Sequence, residues 1–247
     1  MRVLGIIPAR YGSTRFPGKP LAMIGGKTMI HRTYDQVMKS SLDAVIVATD
    51  DQRIFDEVRD FGGQVVMTRS DHRSGTDRCR EALDAMHDEY QAVVNIQGDE
   101  PFIDPRQIDA LAELICHDDV ELATLVKVIE DQETLLNPNV VKAVLDKDGN
   151  ALYFSRHPIP FVRGTSPESW LQQTVFYQHI GMYAYKSNAL RRVASLLPGQ
   201  LEQAESLEQL RWLENGFRIR VAVSDIHGSI AIDTPSDLNK IPKELLL

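Results

Sequence analysis

The stretch VLGIIPARYGSTRFPGKPL, Val3 to Leu21, decides the fold reading: an apolar strand runs directly into a glycine-containing loop that carries Arg10, Arg15 and Lys19. Val3–Ile7 is short, aliphatic and uncharged, the composition of a strand covered on both faces of a parallel sheet. Proline cannot donate to a ladder, so Pro8 is expected to end the strand. Gly12 and Gly18 permit close backbone approach, and the three cations make the loop a cradle for a polyphosphate. Two well-known nucleotide loops do not fit. A Walker loop needs glycine where Ser13 stands and serine or threonine where Pro20 stands, and no Gly-x-Gly-x-x-Gly follows the strand. A plain surface loop with solvated charges is the competing reading of this segment taken alone.

Working outward, the alternation of apolar run and polar cluster repeats. Ala44–Ala48, Gln64–Met67 and Ala92–Ile96 read as strands, with amphipathic segments at Met29–Lys39, Arg53–Phe61 and Asp77–Met86 between them. That order implies βαβ units, hence an α/β fold with a mostly parallel central sheet flanked by helices. Ligands in such a sheet bind beyond the carboxyl ends of the strands. Arg10, Asp50-Asp51, Arg69 to Arg78 and Gln97 to Glu100 all fall there.

Further on, Asp104-Pro105 supplies an N-cap and a first-turn proline for a helix to about Ile115. Ala123–Ile129 and Val140–Leu145 read as strands, and Asp148-Gly149 turns into a strand at Ala151–Ser155. His157 to Ser169 is a Pro/Gly/Ser-rich loop, Ile180–Tyr185 a strand, Asn188–Leu196 and Glu202–Asn215 helices, and Ile219–Val223 a late strand. The expectation is one domain over 1–247 with an inserted β hairpin and loop region at about 123–185.

Composition narrows the function classes. A net charge of -8 opposes non-specific nucleic-acid binding, which needs a basic surface to displace counterions. Cys79 and Cys116 are the only cysteines and lie far apart, so neither a disulfide framework nor a thiolate zinc site is expected. The N-terminal apolar run is too short for a signal peptide, and no run approaches the ~20 apolar residues of a membrane span. A cytoplasmic protein without membrane or nucleic-acid partners is the expectation.

Several clusters carry chemistry. Asn95-Ile96-Gln97-Gly98-Asp99-Glu100 is a strand end, a glycine turn and two carboxylates, and Asp233 closes a short apolar run before Thr234-Pro235 begins a helix. Singly, Asp99 suits a solvated turn and Asp233 an N-cap. As a pair facing a cationic loop they suit Mg²⁺ bridging protein and nucleotide. His72-Arg73-Ser74-Gly75-Thr76-Asp77-Arg78 is a second glycine turn before a helix whose N-terminus could accept ligand oxygens, with Thr76 or Asp77 as N-cap. By spacing alone, Arg156 reads as a surface arginine, His179 as a core histidine, and Glu205 and Glu208 as one solvated helix face. No Gly-x-Ser-x-Gly elbow or His-Glu-x-x-His is present, so hydrolase and zincin readings lack support. Group transfer from a metal-bound triphosphate to a hydroxyl on a second substrate needs neither.

With these residues assembled, the chain resembles the sugar nucleotidyltransferases, and within them the cytidylyltransferases that activate 3-deoxy-D-manno-octulosonate (Kdo). The resemblance runs nearly full length, through IIPARYGSTRFPGKPL at Ile6–Leu21, DHRSGTDR at Asp71–Arg78, VNIQGDEPFI at Val94–Ile103, ALYFSR at Ala151–Arg156, HIGMYAY at His179–Tyr185, ESLEQLRWLENG at Glu205–Gly216 and IDTPSDL at Ile232–Leu238. It implies CTP and Kdo as substrates, Mg²⁺ as cofactor and a homodimer. Arg10 and Lys19 would hold the triphosphate, and Ser74, Gly75, Arg78 and Gln97 would line the cytidine and phosphate pocket. Asp99 and Asp233 would bind Mg²⁺. Arg156, His179, Tyr183, Glu208 and Gln209 would receive the sugar acid. Another acidic sugar, or a regulator that binds nucleotide without turnover, are the alternatives.

Overall fold

The computed structural model describes residues 1–12, 16–226, 232 and 234–245. Ser13, Arg15 and Asp233 therefore lie outside the described residues. The first half alternates strand and helix: β1 (Val3–Ala9), a two-strand ribbon of β2 (Met23–Ile24) and β3 (Lys27–Thr28), α1 (Met29–Val37), β4 (Ala44–Thr49), α2 (Gln52–Asp60), β5 (Val65–Met67), α3 (Gly75–Asp84), β6 (Ala92–Asn95) and α4 (Pro105–Ile115). There follow β7 (Leu122–Val128), α5 (Gln132–Leu136), β8 (Lys142–Leu145), β9 (Ala151–Ser155), α6 (Trp170–Gln173), β10 (Tyr177–Lys186), α7 (Ser187–Ala194), α8 (Gln200–Glu205), α9 (Glu208–Glu214) and β11 (Arg220–Val223).

The central sheet runs β11-β7-β10-β6-β1-β4-β5. Its members are parallel except β10, which is antiparallel to both β6 and β7. Strand parity divides the core into two layers, because successive side chains leave opposite faces. Leu4 and Ile6 of β1 join one layer with Cys79 and Leu83 of α3, Leu190 and Val193 of α7, and Leu210 and Trp212 of α9. Val3 and Ile7 join the other with Ile30 and Val37 of α1, Ile54 and Val58 of α2, and Ile108, Leu111 and Ile115 of α4. Helices thus cover both faces, which is why the early strands read as unbroken apolar runs.

Four local outcomes differ from the sequence reading. Pro8 does not end β1, which pairs on through Pro8↔Ala48 and Ala9↔Thr49. Ile6 turns its carbonyl toward β6, where it accepts from Ile96 N, so Pro8, two residues on, directs its missing N–H to the edge where the β6 ladder has finished at Asn95. Within the span 123–185, β7 and β10 run in the central sheet, while the β8–β9 hairpin hangs from β10 at Tyr177 and Gln178. The helix read over Glu202–Asn215 is two helices, since Ser206 adopts φ 53° and Leu207 turns into the core. Glu205 and Glu208 consequently face different neighbours. Finally, the N-cap of α3 is Ser74 rather than Thr76 or Asp77: Ser74 Oγ accepts from Asp77 N at 3.2 Å, and the Asp77 carboxylate accepts from Ser74 N at 3.3 Å.

Candidate active site

Beyond the carboxyl ends of β1, β5 and β6 lies a cavity of about 290 Å³ lined by Arg10, Lys19, His72, Arg73, Ser74, Gly75, Arg78, Gln97, Gly98 and Asp99, with Pro8, Ala9 and Pro20. Its walls come from loops that the sheet brings together. Gly18, at φ 70°, closes the first loop by donating its N–H to Tyr11 O at 2.9 Å, and this turns Lys19 inward. Lys19 Nζ meets Asp99 Oδ2 at 2.7 Å. Gly98 is forced by close approach, since a Cβ there would stand 2.9 Å from Pro8 O. Arg78 lines the cavity but is buried and held by the protein, through Asp50 Oδ2 at 2.8 Å and through the Thr68 hydroxyl. Its two terminal nitrogens brace the wall. Arg10, by contrast, is exposed.

A second cavity, about 250 Å³, adjoins the first through Pro8, Gly75 and Gln97 and is further lined by Thr76, Asn95, His179, Gly181, Tyr183, Tyr185, Leu207, Glu208, Gln209 and Trp212. Gln97 spans the boundary and donates from Nε2 to Gly181 O at 2.7 Å. β10 bulges there. Its pairing passes from Ile180↔Leu125 to Tyr183↔Thr124, so two extra residues are accommodated and the alternation of faces is kept. His179 and Tyr183 therefore share a face, with ring centroids 5.2 Å apart. Thr124 Oγ1 fills the bulge, 2.8 Å from Met182 O and 3.0 Å from His179 Nε2.

The polar chemistry of this second cavity is unusual. Asn95 Oδ1, Tyr183 Oη, Tyr185 Oη, Glu208 Oε1 and Trp212 Nε1 are buried without a well-formed hydrogen bond among the described residues, and all belong to residues lining it, with Thr124 beside the Tyr183 hydroxyl and Thr76 and Asn95 beside that of Tyr185. Buried polar groups are ordinarily satisfied, so a cluster of unsatisfied ones beside a cavity suits water or a polar ligand. Desolvation raises the Glu208 carboxyl pKa and pushes His179 down to about 3, which leaves the imidazole neutral. Both groups are then suited to exchange hydrogen bonds with neutral hydroxyls.

Arg156 is the exception among the expected sugar-binding residues. It lines neither cavity, and its guanidinium donates to three carbonyls, Glu205 O at 2.7 Å, Pro138 O at 3.1 Å and Ser206 O at 3.4 Å. The carbonyls at the end of α8 attract it, and the Glu205 carboxylate takes Ser155 Oγ at 2.7 Å and Arg156 N at 2.9 Å. Asp99 lines the first cavity, while Asp233 lies outside the described residues. Ile232, just before it, donates its N–H to Asp99 O at 3.2 Å, and the N-cap geometry of the following turn belongs to Thr234, whose N–H meets Asp237 Oδ2 at 2.9 Å. Among the described residues no three His, Cys, Asp or Glu side chains gather as a metal site.

A family model described as Cytidylyltransferase matches residues 4–221. The chain belongs to the cytidylyltransferase family. It is 52% identical, over 97% of its length and 96% of the relative's, to the 3-deoxy-manno-octulosonate cytidylyltransferase of Parabacteroides distasonis. With its namesake from Bacteroides thetaiotaomicron it shares 54% identity over 96% of each chain. The solved structure of CMP:2-keto-3-deoxy-manno-octonic acid synthetase complexed with CTP superposes with a TM-score of 0.89 at 40% identity, covering 97% of this chain and 96% of that one. A cytidylyltransferase from Leptospira borgpetersenii, at 19% identity and a TM-score of 0.61, shares the fold.

For this cytidylyltransferase the sequence reading missed Thr76, Asn95, Tyr185 and Trp212 as cavity residues. Tyr185 and Trp212 fit the ordinary apolar pattern of a strand and a helix, so nothing in their spacing sets them apart. His72 lines the first cavity with its Nε2 against the Glu81 carboxylate, a pairing nine residues apart that turns on the β5–α3 loop.

Proposed function

We propose that this cytidylyltransferase transfers CMP from CTP to the anomeric hydroxyl of Kdo, releasing pyrophosphate and giving CMP-Kdo for lipopolysaccharide biosynthesis. The observation that carries the sugar half of this reading is the group of buried, unpartnered polar atoms at a cavity that adjoins the cationic one. CTP occupies the first cavity. Arg10 and Lys19 meet the triphosphate, and Ser74, Gly75 and Gln97 line the cytidine and α-phosphate end. The sugar acid occupies the second, with His179, Tyr183, Glu208 and Gln209 on its hydroxyls.

The reaction is an in-line displacement: the sugar oxygen bonds to the α-phosphorus, the bond from that phosphorus to the pyrophosphate oxygen breaks, and the hydroxyl proton leaves to solvent. Holding both substrates across the shared wall of Pro8, Gly75 and Gln97 supplies proximity, and Arg10 with Lys19 stabilises the charge that grows on the departing pyrophosphate. Hard carboxylate oxygen at Asp99, open to the triphosphate cavity, fits Mg²⁺. Asp99 and Asp233 would hold the ion, which would supply neutralisation of phosphate charge.

We further propose that the protein is a cytoplasmic homodimer. Among the described residues no helix is long and apolar enough to cross a membrane. Leu136, Leu152, Phe161 and Val175 leave exposed apolar surface around the β8–β9 region that a second copy could cover, which light scattering tests.

The experiment for the reaction is CTP turnover against a panel of Kdo, an amino-Kdo and a sialate. Kdo should be used best. Preference for another acid would reassign the second cavity, and CTP binding without turnover of any acid would favour the regulator.

A further inference from the structure

Thr76 ties the two cavities together. It is the second residue of α3, immediately after Ser74 and Gly75, which line the nucleotide cavity, and it lines the sugar cavity itself. Because Ser74 takes the helix cap, the Thr76 hydroxyl is not needed at the helix start. It donates instead to Glu208 Oε2 at 3.1 Å, across 132 positions of sequence. Thr76 is 2% exposed, so the bond is sheltered from water.

The surroundings of Glu208 make that donor matter. Burial raises its carboxyl pKa, Oε1 has no partner, and the Asp77 carboxylate opposes its ionisation. Arg211, the neighbouring cation, is bound to Glu202 through Nε at 2.7 Å and Nη2 at 2.5 Å. Ser74 Oγ, the other hydroxyl beside Glu208, accepts from Asp77 N and keeps its own proton to donate, so it supports the carboxylate alongside Thr76. Thr76 fixes one carboxylate oxygen from α3, and the other makes no hydrogen bond among the described residues.

We infer that Thr76 is a positioning residue for sugar recognition: its hydroxyl anchors Glu208 Oε2 so that Oε1 accepts a hydrogen bond from a sugar hydroxyl. This rests on the second cavity being the sugar-acid site. A hydrogen bond to a charged or strongly polar group is worth enough that its loss should raise the KM for Kdo by about tenfold in Thr76→Val. Valine keeps the shape and removes the donor.

The test measures CTP binding without sugar, by direct titration, and Kdo kinetics at saturating CTP, for wild type, Thr76→Val, Thr76→Ser, Glu208→Gln and the Thr76→Val/Glu208→Gln pair. Thr76→Val should raise the KM for Kdo with CTP affinity unchanged, and Thr76→Ser, which restores a hydroxyl, should recover most of it. The double variant should lose little beyond the worse single one, because both changes remove one interaction. An unaltered KM for Kdo in Thr76→Val overturns the inference. So do an equal loss of CTP affinity, a Ser variant as poor as the Val variant, or losses that multiply in the double. A wild type that does not use Kdo overturns the reading of the cavity itself, and the inference with it.

Discussion

Lys19 Nζ stands 2.7 Å from Asp99 Oδ2, so the loop after β1 and the turn after β6 are joined by an ion pair at the wall of the nucleotide cavity. The ammonium is almost buried and the carboxylate 37% exposed, which leaves the carboxylate open to the cavity. Removing the cation from a preorganised phosphate site costs catalysis more than folding. Lys19→Met should lower kcat/KM by about a hundredfold or more with the melting temperature little changed. Near-normal turnover in that variant would remove Lys19 from the triphosphate site.

If Asp99 and Asp233 hold one ion, they act as a unit. Asp99→Asn and Asp233→Asn should each abolish most activity, and the double variant should lose little more. Titration of Mn²⁺ into the CTP-loaded protein gives a readout independent of turnover, and either single variant should weaken it. Independent multiplication of the losses, with unaltered Mn²⁺ binding, would contradict a shared ion.

Gly98 and Gly75 separate folding from function. A Cβ at Gly98 would press 2.9 Å from the backbone oxygen of Pro8, whereas one at Gly75 would make an ordinary 3.5 Å contact with the Pro8 ring. Gly98→Ala should destabilise the protein by about 1–3 kcal/mol in denaturant unfolding. Gly75→Ala should leave stability unchanged but raise the KM for CTP and Kdo together, since Gly75 lines both cavities.

Those glycines also show where the sequence was readable. β1, β4 and β6 are covered on both faces, so apolar runs announced them, and polar residues just beyond them announced the site. What escaped depends on contacts far apart in sequence. The antiparallel place of β10 between β6 and β7 is set by pairing with Asn95 and Thr124, which no local pattern encodes. The break at Ser206 answers to Arg156 drawing on the carbonyls of Glu205 and Ser206 and to Leu207 entering the core. The unpartnered polar atoms of Tyr185 and Trp212 sit on residues whose bulk is apolar, and periodicity registers only the bulk.

His179 makes a pH prediction with a definite sign. Its imidazole titrates near 6.5 in an unfolded chain but is pushed down to about 3 by burial in the folded one. Between those values the unfolded state binds the extra proton, so His179 makes the protein lose stability as pH falls from about 6.5 toward 3. His179→Gln should show a shallower decline than wild type over that window in urea unfolding at stepped pH. Parallel curves would mean that His179 titrates normally in the folded protein.

The most direct test of the whole account is pyrophosphate release followed in time with CTP, Mg²⁺ and Kdo together, and with each omitted in turn. Pyrophosphate should be released only when all three are present, one for each CMP-Kdo formed. Release at the same rate without Kdo, or none with the complete mixture, would contradict the proposed reaction.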